Sequence, residues 1–123
     1  RGYYSEYQFQ QLSGWLTQQF RDKGIKISQT LHCPHHPKFS PMCTCRKPRA
    51  GMIHKAQRRF KIRLSHSIMV GDSLTDMQCA QNAGIKKAVL LRPNSLQCLP
   101  NIIQPKRKPY YQARNLKAIR TLL

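Results

Sequence analysis

Four apolar residues recur at three- or four-residue spacing near the start of the chain, as on one face of a helix: Phe9, Leu12, Leu16 and Phe20. This spacing predicts a helix over about residues 6 to 22. Ser5 with Gln8 has the pattern of a capping box, and Gly24 is a typical stop after the last turn. We interpret the apolar stripe as core.

A short β-branched segment, residues 25 to 31, follows and predicts a strand that leads to Cys33. The next segment contains four prolines, which exclude a helix interior or a central strand: Pro34, Pro37, Pro41 and Pro48. The conformation of this loop must therefore depend on interactions other than the regular backbone hydrogen bonds of helices and sheets.

Helix and strand patterns alternate in the middle of the chain. Residues 51 to 60 place their apolar positions on one helical face, and residues 67 to 70 form a compact apolar run before Gly71. A further helical segment begins at Leu74, and residues 88 to 91 read as another buried strand. The order predicts an α/β fold with a parallel sheet and flanking helices, in one domain of 123 residues.

The alternation of helix and strand patterns weakens after residue 92. Residues 104 to 123 are interpreted as a basic linker followed by a short C-terminal helix near residues 112 to 122.

Composition narrows the classes of function. The chain has 22 Lys and Arg against 4 Asp and Glu, a net charge of +18, yet 40% of its residues are apolar, as in a folded protein. No apolar run approaches the roughly 18 residues of a membrane span, and no signal segment opens the chain. Five cysteines, an odd number, favour metal ligation in a reducing compartment over disulfides. We therefore expect a soluble cytoplasmic protein that does not contact a membrane.

Three of these cysteines and a histidine form two closely spaced pairs, Cys33 with His35 and Cys43 with Cys45. Residues two apart in extended backbone point to the same side, so each pair can bind one ion from one direction. Three thiolates and one imidazole suit tetrahedral zinc, and the 33–45 segment is predicted to be a zinc-binding loop. His32 or His36 could replace His35, and the alternative to the whole site is a loop with free thiols.

Two of the four acids, Asp72 and Asp76, follow the strand predicted to end near Gly71. Carboxylates at the carboxyl end of a parallel strand are well placed to bind Mg²⁺. Asp72 is the better candidate, with a helix N-cap as its alternative. Asp76 could equally stabilise the first turn of its helix.

Two cations, Arg46 and Lys47, directly follow the last proposed zinc ligand. A lysine ammonium suits a phosphoryl oxygen, and an arginine offers a bidentate fork for a second phosphate or a hydroxyl pair. The alternative is a pair of solvated surface charges.

The chain resembles the haloacid-dehalogenase-like (HAD-like) phosphatases, and within them the heptose-bisphosphate phosphatases, with the histidinol-phosphate phosphatases as near relatives. The resemblance runs in order to about Leu91 and rests on these segments: Arg1-Gly2-Tyr3-Tyr4-Ser5-Glu6, Cys33-Pro34-His35-His36-Pro37, Cys43-Thr44-Cys45-Arg46-Lys47-Pro48, Gly51-Met52 and Met69-Val70-Gly71-Asp72 through Asp76.

The resemblance implies a Rossmann-like, HAD-like sheet with a zinc-loop insertion. It also implies hydrolysis of a phosphate monoester on a sugar bisphosphate, within synthesis of nucleotide-activated heptose for lipopolysaccharide. Lys47 would be the catalytic lysine that stabilises the transferred phosphoryl group, and Arg46 and Ser73 would also contact substrate. The metals would be structural zinc and catalytic Mg²⁺, the latter on Asp72. The zinc ligands would be Cys33, His35, Cys43 and Cys45.

The sequence also departs from the family pattern. Family members carry an Asp-x-Asp whose first aspartate is the nucleophile, and no Asp-x-Asp occurs in these 123 residues. We therefore expect that the N-terminal part of the fold is missing and that this chain alone is inactive, because the covalent step needs that carboxylate. An uncovered sheet edge and apolar helix face would favour self-association.

Charge supports a second interpretation. Residues 46 to 63 contain eight Lys and Arg and no acid, more than one sugar phosphate requires. A zinc-stabilised basic module that binds nucleic acid is therefore the alternative to a phosphatase, although no series of aromatic residues is interleaved with these cations. A third interpretation is that the chain is a degenerate remnant without activity.

Overall fold

The structure is a computed structural model that describes residues 5–36, 42–92, 102–103 and 109–122. The chain forms two compact units, Arg1–Met42 and Cys43–Leu123.

Helix α1 of the first unit spans Glu6–Asp22. Ser5 caps it as predicted: the Gln8 amide donates to Ser5 Oγ over 3.2 Å, and the Ser5 amide donates to Gln8 Oε1 over 2.7 Å. Gly24 has φ +74°, the left-handed conformation in which a helix commonly ends. The predicted helix and its signals are thus confirmed. Among the described helices, none is both long and apolar enough to cross a bilayer.

The interpretation of the α1 stripe as core is wrong for the described residues. No residue of α1 is buried, and Leu12, Leu16 and Phe20 of the stripe are 62%, 45% and 37% exposed. Residues 23–36, the remaining described part of this unit before the gap, form no helix or strand, and Phe9, the half-buried member of the stripe, contacts the ring of His32.

The strand predicted over residues 25 to 31 is also absent. Ile25 is 48% exposed, and this segment takes no place in the hydrogen-bonded sheet of the described chain. β propensity mainly reflects the packing of side chains on a half-buried pleated surface. A β-branched segment that has no partner strand lacks this packing and therefore does not form a strand.

The second unit contains the predicted alternation. Its helices are α2 (Gly51–Phe60) and α3 (Leu74–Asn82). Its strands are β1 (Ile68–Gly71), β2 (Lys87–Leu91), β3 (Ile102–Ile103) and β4 (Tyr111–Ala113). The sheet order is β1-β2-β4-β3, in which β1, β2 and β4 are parallel and β3 is antiparallel. The α/β class with a parallel sheet is therefore confirmed.

Strand β2 divides the core of this unit. Ala88 and Leu90 face one side, in a cluster with Met77 and Ala80 of α3, against which Ile53 of α2 packs. Val89 faces the other side, in a second cluster with Ala113 and Ile119. Alternation across a strand explains the two clusters, and burial on both faces explains why β2 reads as a continuous apolar run.

The predicted C-terminal helix near residues 112 to 122 is wrong in its first half. Tyr111–Ala113 form β4, and only Lys117–Leu122 turn helically, as a 3₁₀ segment. Pairing of β4 with Val89–Leu91 satisfies backbone groups and buries Ala113, which outweighs local helix propensity. Residues 104–108 of the predicted linker lie outside the described residues.

Candidate functional site

The turn between β1 and α3 organises the candidate site. Ser73 is the N-cap of α3, and the Asp76 amide donates to Ser73 Oγ over 3.3 Å. In return, Asp76 Oδ2 accepts the Ser73 hydroxyl at 2.8 Å and the Ser73 amide at 3.3 Å. This reciprocal capping box makes Asp76 a stabiliser of the first helical turn, one of the two alternatives that its sequence position allows.

Lys47 is held by the same carboxylate. Its ammonium donates to Asp76 Oδ1 over 2.5 Å, between residues 29 positions apart in the chain. The Asp76 side chain is 4% exposed, whereas that of Lys47 is 43% exposed. An ammonium has three N–H donors, so the Lys47 headgroup is fixed by one contact while part of it still faces solvent.

The pKa of Asp76 reflects this environment. Burial raises the pKa, but the hydrogen bonds from Lys47 and Ser73 and the positive charge of Lys47 together outweigh burial, so the pKa lies below its ordinary value of 3.8. Asp76 is therefore a carboxylate at neutral pH and the pair with Lys47 is ionic.

Gly71 gives Asp76 the room to take this position. A Cβ at residue 71 would lie 2.6 Å from both Cγ and Oδ2 of Asp76, closer than side-chain atoms tolerate. The glycine at the end of β1 is thus required by the close approach of the Asp76 side chain.

Asp72 lies directly beyond β1 and is exposed. Its carboxylate forms no ion pair with any residue of the described ranges, unlike that of Asp76. A solvent-facing carboxylate at the end of a parallel strand provides the hard oxygen donor that Mg²⁺ prefers. Arg46, which precedes Lys47, is also exposed.

Helix α3 also holds the backbone that follows Lys47. Asn82 Nδ2 donates to the Pro48 carbonyl over 2.9 Å, and the Cys79 thiol donates to the Arg49 carbonyl over 3.3 Å. Burial raises the pKa of the Cys79 thiol, which keeps the donor proton in place. Sequence reasoning missed both contacts, because residues 30 or more positions apart carry no local signal of their pairing.

The predicted metal-ligating residues lie together. One ligand atom from each of four half-buried residues lies within 4.8 Å of the other three: Cys33, His35, Cys43 and Cys45. Within the first pair, Cys33 Sγ and His35 Nδ1 are 3.6 Å apart. Ligand atoms bound tetrahedrally at about 2.3 Å lie roughly 3.8 Å from one another, so the spacing and the donor set fit zinc. All four cysteines of the described chain are free of disulfides.

The group of neighbouring ligand atoms contains His35 and does not contain His32. His32 Nε2 lies 3.1 Å from Glu6 Oε2, and its ring centroid lies 3.9 Å from that of Phe9. His32 is thus engaged with α1, whereas His35 belongs to the cysteine group.

A glycine holds the second ligand pair in place. The Gly51 amide donates to the Thr44 carbonyl over 3.1 Å, between the two cysteines Cys43 and Cys45. A Cβ on residue 51 would overlap that carbonyl oxygen and lie 2.8 Å from its carbon. The Arg49 guanidinium also donates to the Cys43 carbonyl. The start of α2 therefore sets the shape of the Cys43–Cys45 turn.

The second unit is an α/β domain with an acidic turn at the carboxyl end of its first parallel strand. A model of the HAD-hydrolase-like family matches residues 44–119, which is more than half of the chain. The chain therefore belongs to the HAD-hydrolase-like family.

Curated relatives agree with this family. Over 97 residues the chain is 40% identical to the D-glycero-alpha-D-manno-heptose-1,7-bisphosphate 7-phosphatase of Photorhabdus laumondii, which covers 75% of this chain and 53% of the relative. In an alignment of 130 positions, the chain is 35% identical to the D-glycero-beta-D-manno-heptose-1,7-bisphosphate 7-phosphatase of Escherichia coli K12. This alignment covers 89% of the chain and 68% of the relative. The chain thus spans about half to two thirds of the length of these relatives.

A solved structure supports the fold. A Mesorhizobium loti protein described as a HAD-like phosphatase matches with a TM-score of 0.67 and 24% identity, over 99% of this chain and 57% of that one. At this identity the likeness concerns the fold alone.

Replacing Asp76 by Asn should lower the free energy of unfolding at neutral pH by about 1–3 kcal/mol, because the charge-assisted bond to Lys47 is lost. Since the folded pKa of Asp76 lies below its ordinary value, this difference is present above about pH 4 and disappears as the pH falls through the folded pKa. Urea unfolding of both proteins from pH 7 to pH 3, without divalent ions, measures it.

Asp22→Asn is the matched control, since Asp22 is exposed and its carboxylate accepts a hydrogen bond only from Gln18 within the described residues. A difference for Asp76→Asn that stays constant or grows toward acid pH would contradict the ion pair.

Replacing Gly51 by Ala should displace the Thr44 carbonyl and weaken zinc binding about 10- to 100-fold, the usual effect of losing support around metal ligands. Competition with a chromophoric chelator measures the affinity. Gly14→Ala is the control, because its Cβ meets no atom within 4 Å. Equal zinc affinity in the two variants would show that Gly51 does not shape the site.

Proposed function

We propose that this protein is a phosphatase that removes a phosphate monoester from D-glycero-D-manno-heptose 1,7-bisphosphate. The observation that carries the proposal is the half-exposed Lys47 ammonium, fixed by the buried Asp76 in the same turn that presents Asp72. A fixed cation and a free carboxylate are the two features that phosphoryl transfer needs besides a nucleophile. The names of the relatives supply the substrate.

Each side chain has a defined role in this proposal. The remaining N–H donors of Lys47 bind oxygens of the transferred phosphoryl group, and Arg46 offers its guanidinium to a second phosphate or hydroxyl pair. Ser73, whose hydroxyl donates to Asp76, contacts substrate more weakly. Asp76 is a positioning residue for Lys47 and a weaker candidate for metal binding.

Mg²⁺ fits the oxygen donor at Asp72, which would hold it. The ion would neutralise negative charge on the phosphoryl oxygens. Lys47 and Arg46 would add positive charge at the same phosphoryl oxygens.

Zinc fits the Cys33, His35, Cys43 and Cys45 group, and its role in this proposal is structural. By binding Cys45 it would hold the backbone immediately before Arg46 and Lys47. Cysteines used as metal ligands favour a reducing compartment, and we propose the cytoplasm as the location of the protein.

The nucleophile of this reaction is an aspartate of an Asp-x-Asp, which does not occur in these 123 residues. We accordingly propose that the 123-residue chain alone releases no phosphate and that the reaction needs such a segment in the same protein or supplied to it. The heptose product would enter synthesis of nucleotide-activated heptose for lipopolysaccharide.

Phosphate release from heptose 1,7-bisphosphate in the presence of Mg²⁺ tests the proposal, in a form of the protein that includes an Asp-x-Asp strand. Lys47→Ala should lower kcat about 100-fold or more, because a fixed charge on the transition state is lost. The exposed lysine variant Lys86→Ala should keep full activity.

Two outcomes would overturn the proposal. One is full activity of Lys47→Ala, and the other is turnover of histidinol phosphate without turnover of the heptose bisphosphate.

A further inference from the structure

We propose that the outer face of α2 and the turn that follows it bind single-stranded nucleic acid through its phosphates. This α2 basic surface consists of five residues: Lys55, Arg58, Arg59, Lys61 and Arg63. The proposed site is distinct from the phosphatase site, which uses Arg46 and Lys47.

The charge of this surface is uncompensated. All five side chains are exposed, and no acid occurs between residues 46 and 63. Within the described residues, none of these five side chains takes part in an ion pair, unlike His32 with Glu6 and Lys47 with Asp76. A face with five cations and no neighbouring carboxylate attracts a polyanion.

Two features of the cation positions are not explained by the stability of α2. Arg58 and Arg59 lie three and four residues after Lys55, so the three like charges share one face of α2 and repel one another. Arg58 and Arg59 in the last turn and Lys61 at the C-cap suit the helix dipole, but Arg63 lies beyond the cap, where the dipole gives no reason for a cation.

The opposite face of α2 packs on the core, so the basic side chains point outward. Ile53 packs against the cluster of Met77, Ala80 and Leu90, and no residue of α2 is itself fully buried. The cations are thus presented outward by a helix that the core holds in place. Four residues of helix span about 6 Å, so the charges form an extended row that suits a chain of phosphates better than one compact anion.

Exposed apolar side chains alternate with these cations. Phe60 and Ile62 are 39% and 36% exposed, and they flank Lys61. The Arg59 guanidinium lies 5.5 Å from the centroid of the Phe60 ring. An exposed ring among cations offers a base a surface to stack on, which favours a single strand with unstacked bases over a duplex.

Fluorescence anisotropy with a labelled 20-nucleotide oligothymidylate tests the proposal on the 123-residue chain. If all five cations contact phosphates, the logarithm of the binding constant should fall with the logarithm of salt concentration with a slope of about −3.5 between 50 and 200 mM. Replacing the five residues together by Gln should reduce affinity at least tenfold and flatten the slope.

A matched control removes five charges elsewhere. Lys23, Lys26, Lys86, Lys117 and Arg120 are exposed and lie outside the α2 basic surface, and their replacement by Gln should change affinity less than threefold. Equal losses in the two five-residue variants would overturn the proposal, because net charge rather than this surface would then drive binding.

Stacking of a base on the Phe60 ring is tested separately. Phe60→Ala, and Phe60→Leu, which keeps apolar bulk, should each lower affinity about fivefold or more with an unchanged salt slope. Phe20→Ala, at a ring of similar 37% exposure in α1, should have no effect. No binding of the oligonucleotide, or binding only to vesicles rich in phosphatidylserine, would overturn the proposal in favour of an inert or a lipid-binding surface.

Discussion

The burial of one carboxylate constrains the whole second unit. Asp76 is 3% exposed and could not remain ionised there without partners, since an unpaired buried charge costs several kcal/mol. Ser73 supplies two hydrogen bonds from its own turn, and Lys47 supplies the third together with a positive charge. The loop that carries Lys47 is thus joined to α3 at the carboxyl end of β1, where phosphate chemistry is proposed to occur.

Much of this unit follows from local patterns. The apolar runs ending at Gly71 and Leu91 correctly predicted β1, which is half-buried along its length, and β2, which is buried on both faces. The capping signal at Ser5 located α1, and the spacing of Cys33, His35, Cys43 and Cys45 predicted the group of ligands that lies together. In each case the determining interactions lie within a short segment.

The predictions that were wrong or missing concern features that depend on contacts between distant segments of the chain. The bond between Lys47 and Asp76 and the contacts of Cys79 and Asn82 join segments about 30 residues apart, and no periodicity records such pairing. The strand at Tyr111–Ala113 depends on the free edge of β2, which overrides the helical pattern around it. The exposed Leu12 and Leu16 show that an amphipathic stripe indicates a helix but not what covers it.

A double-mutant cycle of unfolding free energies for Lys47→Met, Asp76→Asn and their combination tests the central ion pair most directly. A coupling free energy of about 1–3 kcal/mol is expected, with the double variant more stable than Lys47→Met, because that single variant leaves a buried carboxylate without its cation. Strict additivity of the two substitutions would contradict the pairing on which the arrangement of this site rests.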